Sequence, residues 1–206
     1  MPNDETSAHP AATPEQPIVT IEGERVALGP LRRDLLPLYQ RWINDPAVVR
    51  TVWASLRPLL LEDEQQWYDQ KIGAKDTVLF QVYIRDVWRP IGNAGLLELD
   101  HQHGVAEFGI LIGEKDCWDQ GYGTEATRLI LDYAFNVLGL HNVMLSVYDF
   151  NHRGVRAYEK AGFKVIGRRR QAQRLGHERH DVIFMDALAT EFESPVLQRL
   201  YIEGRQ

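Results

Sequence analysis

The sequence predicts an α/β (α+β) sandwich on a mixed, mostly antiparallel sheet of about seven strands. Three observations carry that prediction. Residues 77–113 read as three apolar strands joined by tight turns at Asp86-Val87 and 100–104, an antiparallel meander. Residues 105–149 then read strand, glycine loop, helix, strand, which demands a parallel pair with a right-handed crossover. Last, two strands flank the turn Leu175-Gly176-His177. Helices do not alternate with strands throughout, so a doubly wound dinucleotide fold is the wrong pattern.

Taken in order, residues 1–17 hold four prolines and little apolar mass, and predict a disordered tail. Residues 18–29 read as a strand or short hairpin, with Val26 and Leu28 alternating against polar neighbours. Leu35, Leu38, Tyr39 and Trp42 fall at helical spacing over 32–44, and Asp45-Pro46 stops that helix. A second helix covers 62–72 and ends at Gly73. These two helices and their irregular link suit a substrate-pocket wall and a plain sheet cover equally. Strands follow at 77–85, 88–99 and 105–113. Ala126, Leu129, Ile130, Tyr133, Ala134 and Val137 share one face of a helix over 121–138, with Gly139 as C-cap. Residues 142–149 are a short apolar strand, Asn151 caps a helix to Ala161, and Gly162 closes it. Strands at 163–170 and 179–186 complete the domain, taken as residues 18–190. The remaining tail, 191–206, carries a weak amphipathic hint of a last helix and of a homodimer contact.

The bulk properties narrow the class. A chain of 206 residues suits one domain with a real core. Its net charge of −6 argues against general nucleic-acid binding. The single cysteine, Cys117, excludes an intrachain disulfide framework and suits a buried filler better than a reactive thiol. No apolar run is long enough to span a membrane, and the N-terminus lacks an apolar signal core. These features predict a cytoplasmic protein with no membrane or nucleic-acid partner.

The stretch that carries chemistry is residues 117–126, CWDQGYGTEA. A glycine turn between a buried strand and a helix is an anion site: first-turn N–H groups lack partners, and the helix dipole places about half a positive charge there. By itself the pattern suits a turn that merely closes helix against strand better than it suits a phosphate site. A nucleoside-triphosphate loop needs Lys-Ser/Thr after its glycines, and here Thr124-Glu125 follow Gly123. A loop with no lysine and no metal carboxylates suggests a phosphate that is held and not transferred.

Two separated motifs give the sequence a family resemblance. Residues 118–126, WDQGYGTEA, resemble the acyl-CoA pyrophosphate loop of the GNAT acyltransferase superfamily. Residues 151–163, NHRGVRAYEKAGF, resemble that family's Asn…Tyr-Glu-Lys-x-Gly-Phe block. Within the superfamily the chain looks like the Rim-type branch, which includes ribosomal-protein N-terminal acetyltransferases and spermidine acetyltransferases. Glu107-Phe108-Gly109, Gly167-Arg168, Asp181 and Met185 fit that branch. The resemblance covers residues 20–190 or so and implies helices on both faces of the sheet, with one parallel pair splayed to hold acyl-CoA. It implies that backbone N–H groups around Trp118, Asp119, Gln120, Gly121, Tyr122, Gly123 and Thr124 hold the pyrophosphate. Ile110, Leu111 and Ile112 would run beside the pantetheine, and Asn151 would contact it. Tyr158 would protonate the departing thiolate. The chain departs from the family at Trp118, where Gln or Arg is frequent, and at Gly154, where Ser is frequent and one cofactor hydrogen bond is lost.

The chemistry of each residue follows. The thiolate's conjugate acid has a pKa of about 8.5, and a phenol near 10 donates a proton while staying protonated itself at neutral pH. An α-amine at about 8 is roughly one-tenth neutral at pH 7, whereas a lysine-like amine near 10.4 costs about 4.6 kcal/mol to deprotonate. Glu107, on the strand facing the splay, is the first base candidate, and a salt-bridged strand carboxylate is its bland alternative. Asp149 is the runner-up and, with Trp53, a candidate substrate contact. Trp53, Trp67 and Tyr68 suit an acceptor-pocket wall, where a cation stacks on rings, and each also suits ordinary packing. No His/Cys/carboxylate set has metal spacing, and Ser146 and Ser194 lack a His partner. Glu125 is assigned to the helix surface. The reading is an enzyme, an acetyl-CoA-dependent N-acetyltransferase without a metal. Its acceptor is a small-molecule amine or a protein or peptide N-terminus. A longer acyl donor such as succinyl-CoA, or a non-catalytic acyl-CoA-binding domain, remain as alternatives.

Overall fold

The computed structural model describes residues 16–52 and 57–198. Trp53, most of the predicted N-terminal tail and the final eight residues lie outside them. The chain opens with β1 (Ile21–Glu22) and β2 (Val26–Pro30), the hairpin alternative for this region. Helices α1 (Leu36–Ile43), α2 (Pro46–Val49) and α3 (Leu61–Gly73) follow. The meander is β3 (Val78–Ile84), β4 (Arg89–Asp100) and β5 (Val105–Ile112). Then come α4 (Tyr122–Asn136), β6 (Asn142–Tyr148), α5 (His152–Ala161), β7 (Lys164–Leu175) and β8 (Glu178–Leu188).

All strands share one eight-stranded sheet in the order β1-β2-β3-β4-β5-β6-β8-β7. Among the described strands only β5 and β6 are parallel, as a strand–helix–strand crossover requires. That pair is short. It runs from Val105↔Asn142 to Glu107↔Met144 and stops. Beyond it, β5 stays paired to β4 as far as Ile112, and β6 to β8 as far as Tyr148. The two strands therefore part after Glu107 while each keeps its outer neighbour. That is the splay the resemblance implied.

Helices cover both faces. Alternation along β3 sends Phe80 and Val82 into the main core with Leu129 and Ile130 of α4. It sends Leu79 and Gln81 to the other side, where Leu36, Tyr39 and Trp42 of α1 and Tyr68 of α3 form a second, smaller core. Trp42 is buried with its indole N–H donating to Glu114 at 2.8 Å, so the ring enters the core with its polar tip satisfied. Arg89 reaches the same carboxylate at 2.9 Å and Arg41 also bonds it.

Several elements differ from expectation. Pro46 does not only end α1; it opens α2, with Asp45 accepting the Ala47 N–H at 2.9 Å as N-cap. The closing hairpin is longer than predicted, because β7 runs on to Leu175 through an irregularity at Gln171, whose φ is +51°. The Asp181 carboxylate accepts the Gln171 N–H at 2.7 Å and pairs with Arg168 at 3.2 Å, which pins that irregularity. Glu125 is not merely on the helix surface. Its carboxylate accepts the N–H groups of Arg25 (2.8 Å) and Val26 (3.1 Å) and docks the first hairpin on α4. After a short 3-10 turn at Ala189–Glu191 the chain is latched to the body, with Leu197 in the main core. The buried Asp132 accepts Ser194 Oγ (2.6 Å), Val196 N (3.0 Å) and Leu197 N (2.8 Å) there.

Candidate active site

The loop between β5 and α4 is built by local rules. Gly121, the N-cap of α4, has φ +86°, a conformation that costs glycine little. The first turn of α4 thus opens with unpartnered N–H groups at a positive helix end. Trp118 folds back and its indole N–H donates to the Ile112 carbonyl at 2.8 Å, tying the loop to the end of β5. Arg25 braces the loop from behind, bonding the Gln120 carbonyl at 2.8 Å and lying over the Tyr122 ring at 4.4 Å. Gln120's side chain is occupied with the Asp116 carbonyl.

A cleft of about 180 Å³ runs along this loop. Ile110, Leu111, Ile112, Trp118, Asp119, Gly121, Gly123, Thr124, Asn151 and Tyr158 all line it. Gln120 and Tyr122 do not; they support the loop from outside. The sequence reading missed the cleft's cations, Arg153, Arg156 and Lys160 on α5. Arg153 stacks on Trp118 at 3.7 Å, which gives an aromatic at that position a role: the ring holds a cation beside the loop. Cys117 also borders the cleft. It is buried, and burial followed by the Asp116 carboxylate pushes its thiol up, so it is an inert filler.

Asn151 caps α5 by accepting the Gly154 N–H at 3.0 Å. A side-chain Cβ at position 154 would stand 2.6 Å from Asn151 Nδ2. Gly154 therefore makes room for the cap and leaves the Asn151 amide in the cleft wall.

A larger chamber of about 650 Å³ lies on the other side of the splay. Glu107, Gly109 and Leu111 of β5 face it together with Tyr39, Trp42, Glu64, Trp67, Asn93, Ser146 and Tyr158. The Ser146 hydroxyl donates to Glu107 Oε1 at 3.3 Å. Ile110, Leu111 and Tyr158 line both spaces, so the cavities meet at the parted strands. Tyr158 is held there edge-on by Phe108 (6.1 Å) and Phe163 (6.2 Å). Burial pushes its phenol up to about 12, with Arg153 pulling the other way.

Two expected residues are elsewhere. Asp149 lines neither cavity: its carboxylate accepts Asp181 N at 3.1 Å and meets His180 Nδ1 at 3.2 Å, tying β6 to β8. Tyr68 is a core residue whose hydroxyl reaches the Leu31 carbonyl, while its neighbour Trp67 does reach the chamber. Among the described residues no group of His, Cys, Asp and Glu is placed to hold a metal. None of their helices is long and apolar enough to cross a membrane.

Residues 25–164 match the acetyltransferase (GNAT) domain family. The chain belongs to the GNAT acetyltransferase family. The spermidine N(1)-acetyltransferase of Escherichia coli K12 is 31% identical over 142 residues, 69% of this chain and 74% of that protein. An uncharacterized N-acetyltransferase, p20 of Bacillus licheniformis, is 26% identical over 180 residues, 84% of this chain and 98% of the relative. The fold matches a crystal structure of Vibrio cholerae spermidine N-acetyltransferase with CoA and spermine. There the TM-score is 0.75 at 24% identity, covering 81% of this chain and 97% of that one. This GNAT protein is an N-acetyltransferase that takes its acetyl group from acetyl-CoA and passes it to an amine. Its residues fit that co-substrate: a helix N-terminus with a positive-φ glycine, three cations beside it, and a β5 edge left without a strand partner past Glu107.

Proposed function

We propose that this chain acetylates a small-molecule amine by direct attack in a ternary complex, with Tyr158 as general acid and Glu107 as general base. One observation carries the reading: two cavities of different character meet at Ile110, Leu111 and Tyr158, with Glu107 on the chamber side. The cleft with its helix end and cations suits the pyrophosphate, and the chamber suits the acceptor. Acetyl-CoA supplies the acyl carbon and a thiolate leaving group. The N–H groups of Gly121, Gly123 and Thr124, with Arg153, orient the phosphates. The free edge of β5 over 108–112 aligns the pantetheine amides, and N–H groups on that edge stabilise charge developing on the carbonyl oxygen.

Glu107, hydrogen-bonded by the Ser146 hydroxyl, takes one proton from the incoming ammonium, and the second proton lost by the adduct nitrogen restores the Tyr158 phenol after it has protonated sulfur. Tyr158 gives a proton to sulfur; its raised pKa keeps it protonated across the working range. The acceptor of the E. coli relative, spermidine by its name, supports a small molecule over a protein N-terminus. The test is thiol release from acetyl-CoA over a panel of diamines, aminoglycosides, amino acids and peptides with free N-termini. Turnover confined to the peptides would overturn the small-molecule acceptor. CoA binding without turnover of any amine would overturn the enzyme.

A further inference from the structure

The acceptor chamber is lined by two carboxylates that the reaction above does not use, Asp63 and Glu64. Glu64 follows Asp63 on α3, and the two have opposite surroundings. Asp63 is committed: it accepts the Leu60 N–H at 2.8 Å as part of the helix cap and pairs with Arg57 at 2.7 Å. Glu107 has the Ser146 hydroxyl. Glu64 is 7% exposed and lines the chamber, and among the described residues no donor or cation reaches its carboxylate. Burial first, and Asp63 second, hold its carboxyl above the ordinary range. An unpaired buried carboxylate is unfavourable for folding, so a compensating partner is to be sought in what enters the cavity.

The rest of the chamber points to the charge of that partner. Tyr39 stacks with Trp42 at 5.7 Å and meets Trp67 edge-on at 6.3 Å, and all three rings line the space. Ring faces attract cations. Asn93 Oδ1, also on the lining, is buried with no hydrogen-bond partner and is a second waiting acceptor. The cations in the same wall are Arg57, paired with Asp63, and Lys71, two turns along α3 and not ion-paired with Glu64. A volume of about 650 Å³ is in the range of sites that enclose a whole small ligand.

We infer that Glu64 is a specificity-determining residue that receives a second ammonium of the acceptor while the first amine lies at Glu107 and Tyr158. The acceptor class is a di- or polyamine, and a monoamine of equal chain length is the poorer substrate. The inference rests on the acetyltransferase reading above.

The test uses the full chain with two probes, 1,4-diaminobutane and butylamine. Thiol release and calorimetric binding are measured for wild type, Glu64→Gln and Glu64→Asp. Wild type should prefer the diamine. Glu64→Gln should lower kcat/KM for the diamine by about 10–100-fold, through KM, and leave butylamine within about twofold. Diamine binding should weaken in parallel, and Glu64→Asp should recover part of it. The Gln variant should melt no lower than wild type at neutral pH, because it removes an unpaired buried charge. Equal losses for both probes, or no loss for the diamine, would overturn the assignment. Equal acetylation of both probes by every protein would sink Glu64 and spare the reaction. Diamine binding that depends on Glu64 without turnover would sink the reaction and spare the site. Neither binding nor turnover of the diamine would sink both.

Discussion

Replacing Tyr158 by Phe removes one oxygen from the junction of the two cavities. The structure sets the size of each effect. The ring keeps its edge contacts with Phe108 and Phe163. None of the hydrogen bonds among the described residues involves the Tyr158 hydroxyl, so the variant should fold with a stability change within about 0.5 kcal/mol. Catalysis should change far more. A positioned general acid contributes about 10²–10⁴-fold, or about 2.7–5.4 kcal/mol of barrier. A phenol at about 12 against a thiol near 8.5 would give a proton transfer uphill by about 3.5 units were the sulfur in water. The surroundings that raise the phenol also raise a thiol placed beside it, so the gap narrows inside the site. The assay is thiol release at saturating amine, from neutral to mildly alkaline pH. The kcat should fall by at least about a hundredfold while acetyl-CoA affinity holds. Because the phenol stays protonated, wild type should show no falling alkaline limb from Tyr158 in that window. A thioester of a more acidic thiol should restore much of the lost rate, since its sulfur leaves without a proton. A kcat within about threefold of wild type, or a rescue that fails, would refute the acid role.

Other changes separate the remaining parts. Glu107→Gln should lower kcat/KM by about 10²–10⁴-fold at neutral pH, with the deficit shrinking as pH approaches the amine's own pKa and the acceptor arrives neutral; a pH–rate profile parallel to wild type would contradict the base role. Arg153→Ala should raise the KM for acetyl-CoA by about tenfold with kcat little changed, and should blunt its salt dependence, as read from initial rates at two ionic strengths. Asp132→Ala strands the N–H groups of Val196 and Leu197. It should cost about 1–3 kcal/mol for each in urea unfolding, with faster hydrogen exchange confined to residues 194–198.

Much of the fold was legible because its signals are local. The glycine pair before an apolar helical stripe marked the β5–α4 loop, and Asn151 with Gly162 bracketed α5. The hairpin of 164–188 was underestimated because its irregularity at Gln171 is set by Asp181, ten residues away on the opposite strand. Asp149 looked available at a strand end, yet register places its carboxylate against His180 and the Asp181 backbone. Glu125 looked like a surface residue for the same reason: its partners, Arg25 and Val26, lie about a hundred positions earlier.

By itself the sequence determined the order and type of most elements, α2 excepted, and placed the 117–126 loop before a helix and Tyr158 on the helix after β6. Those depend on periodicity, caps and turns, which act over a few residues. Only the tertiary structure decided that the parallel ladder ends at Glu107↔Met144, and that cleft and chamber join there. It alone separated Asp63, which is paired, from Glu64, which is buried and waiting. Adjacent carboxylates look alike in a sequence; which one is desolvated depends on how α3 lies against α1 and the sheet. That angle is set by packing between segments distant in the chain.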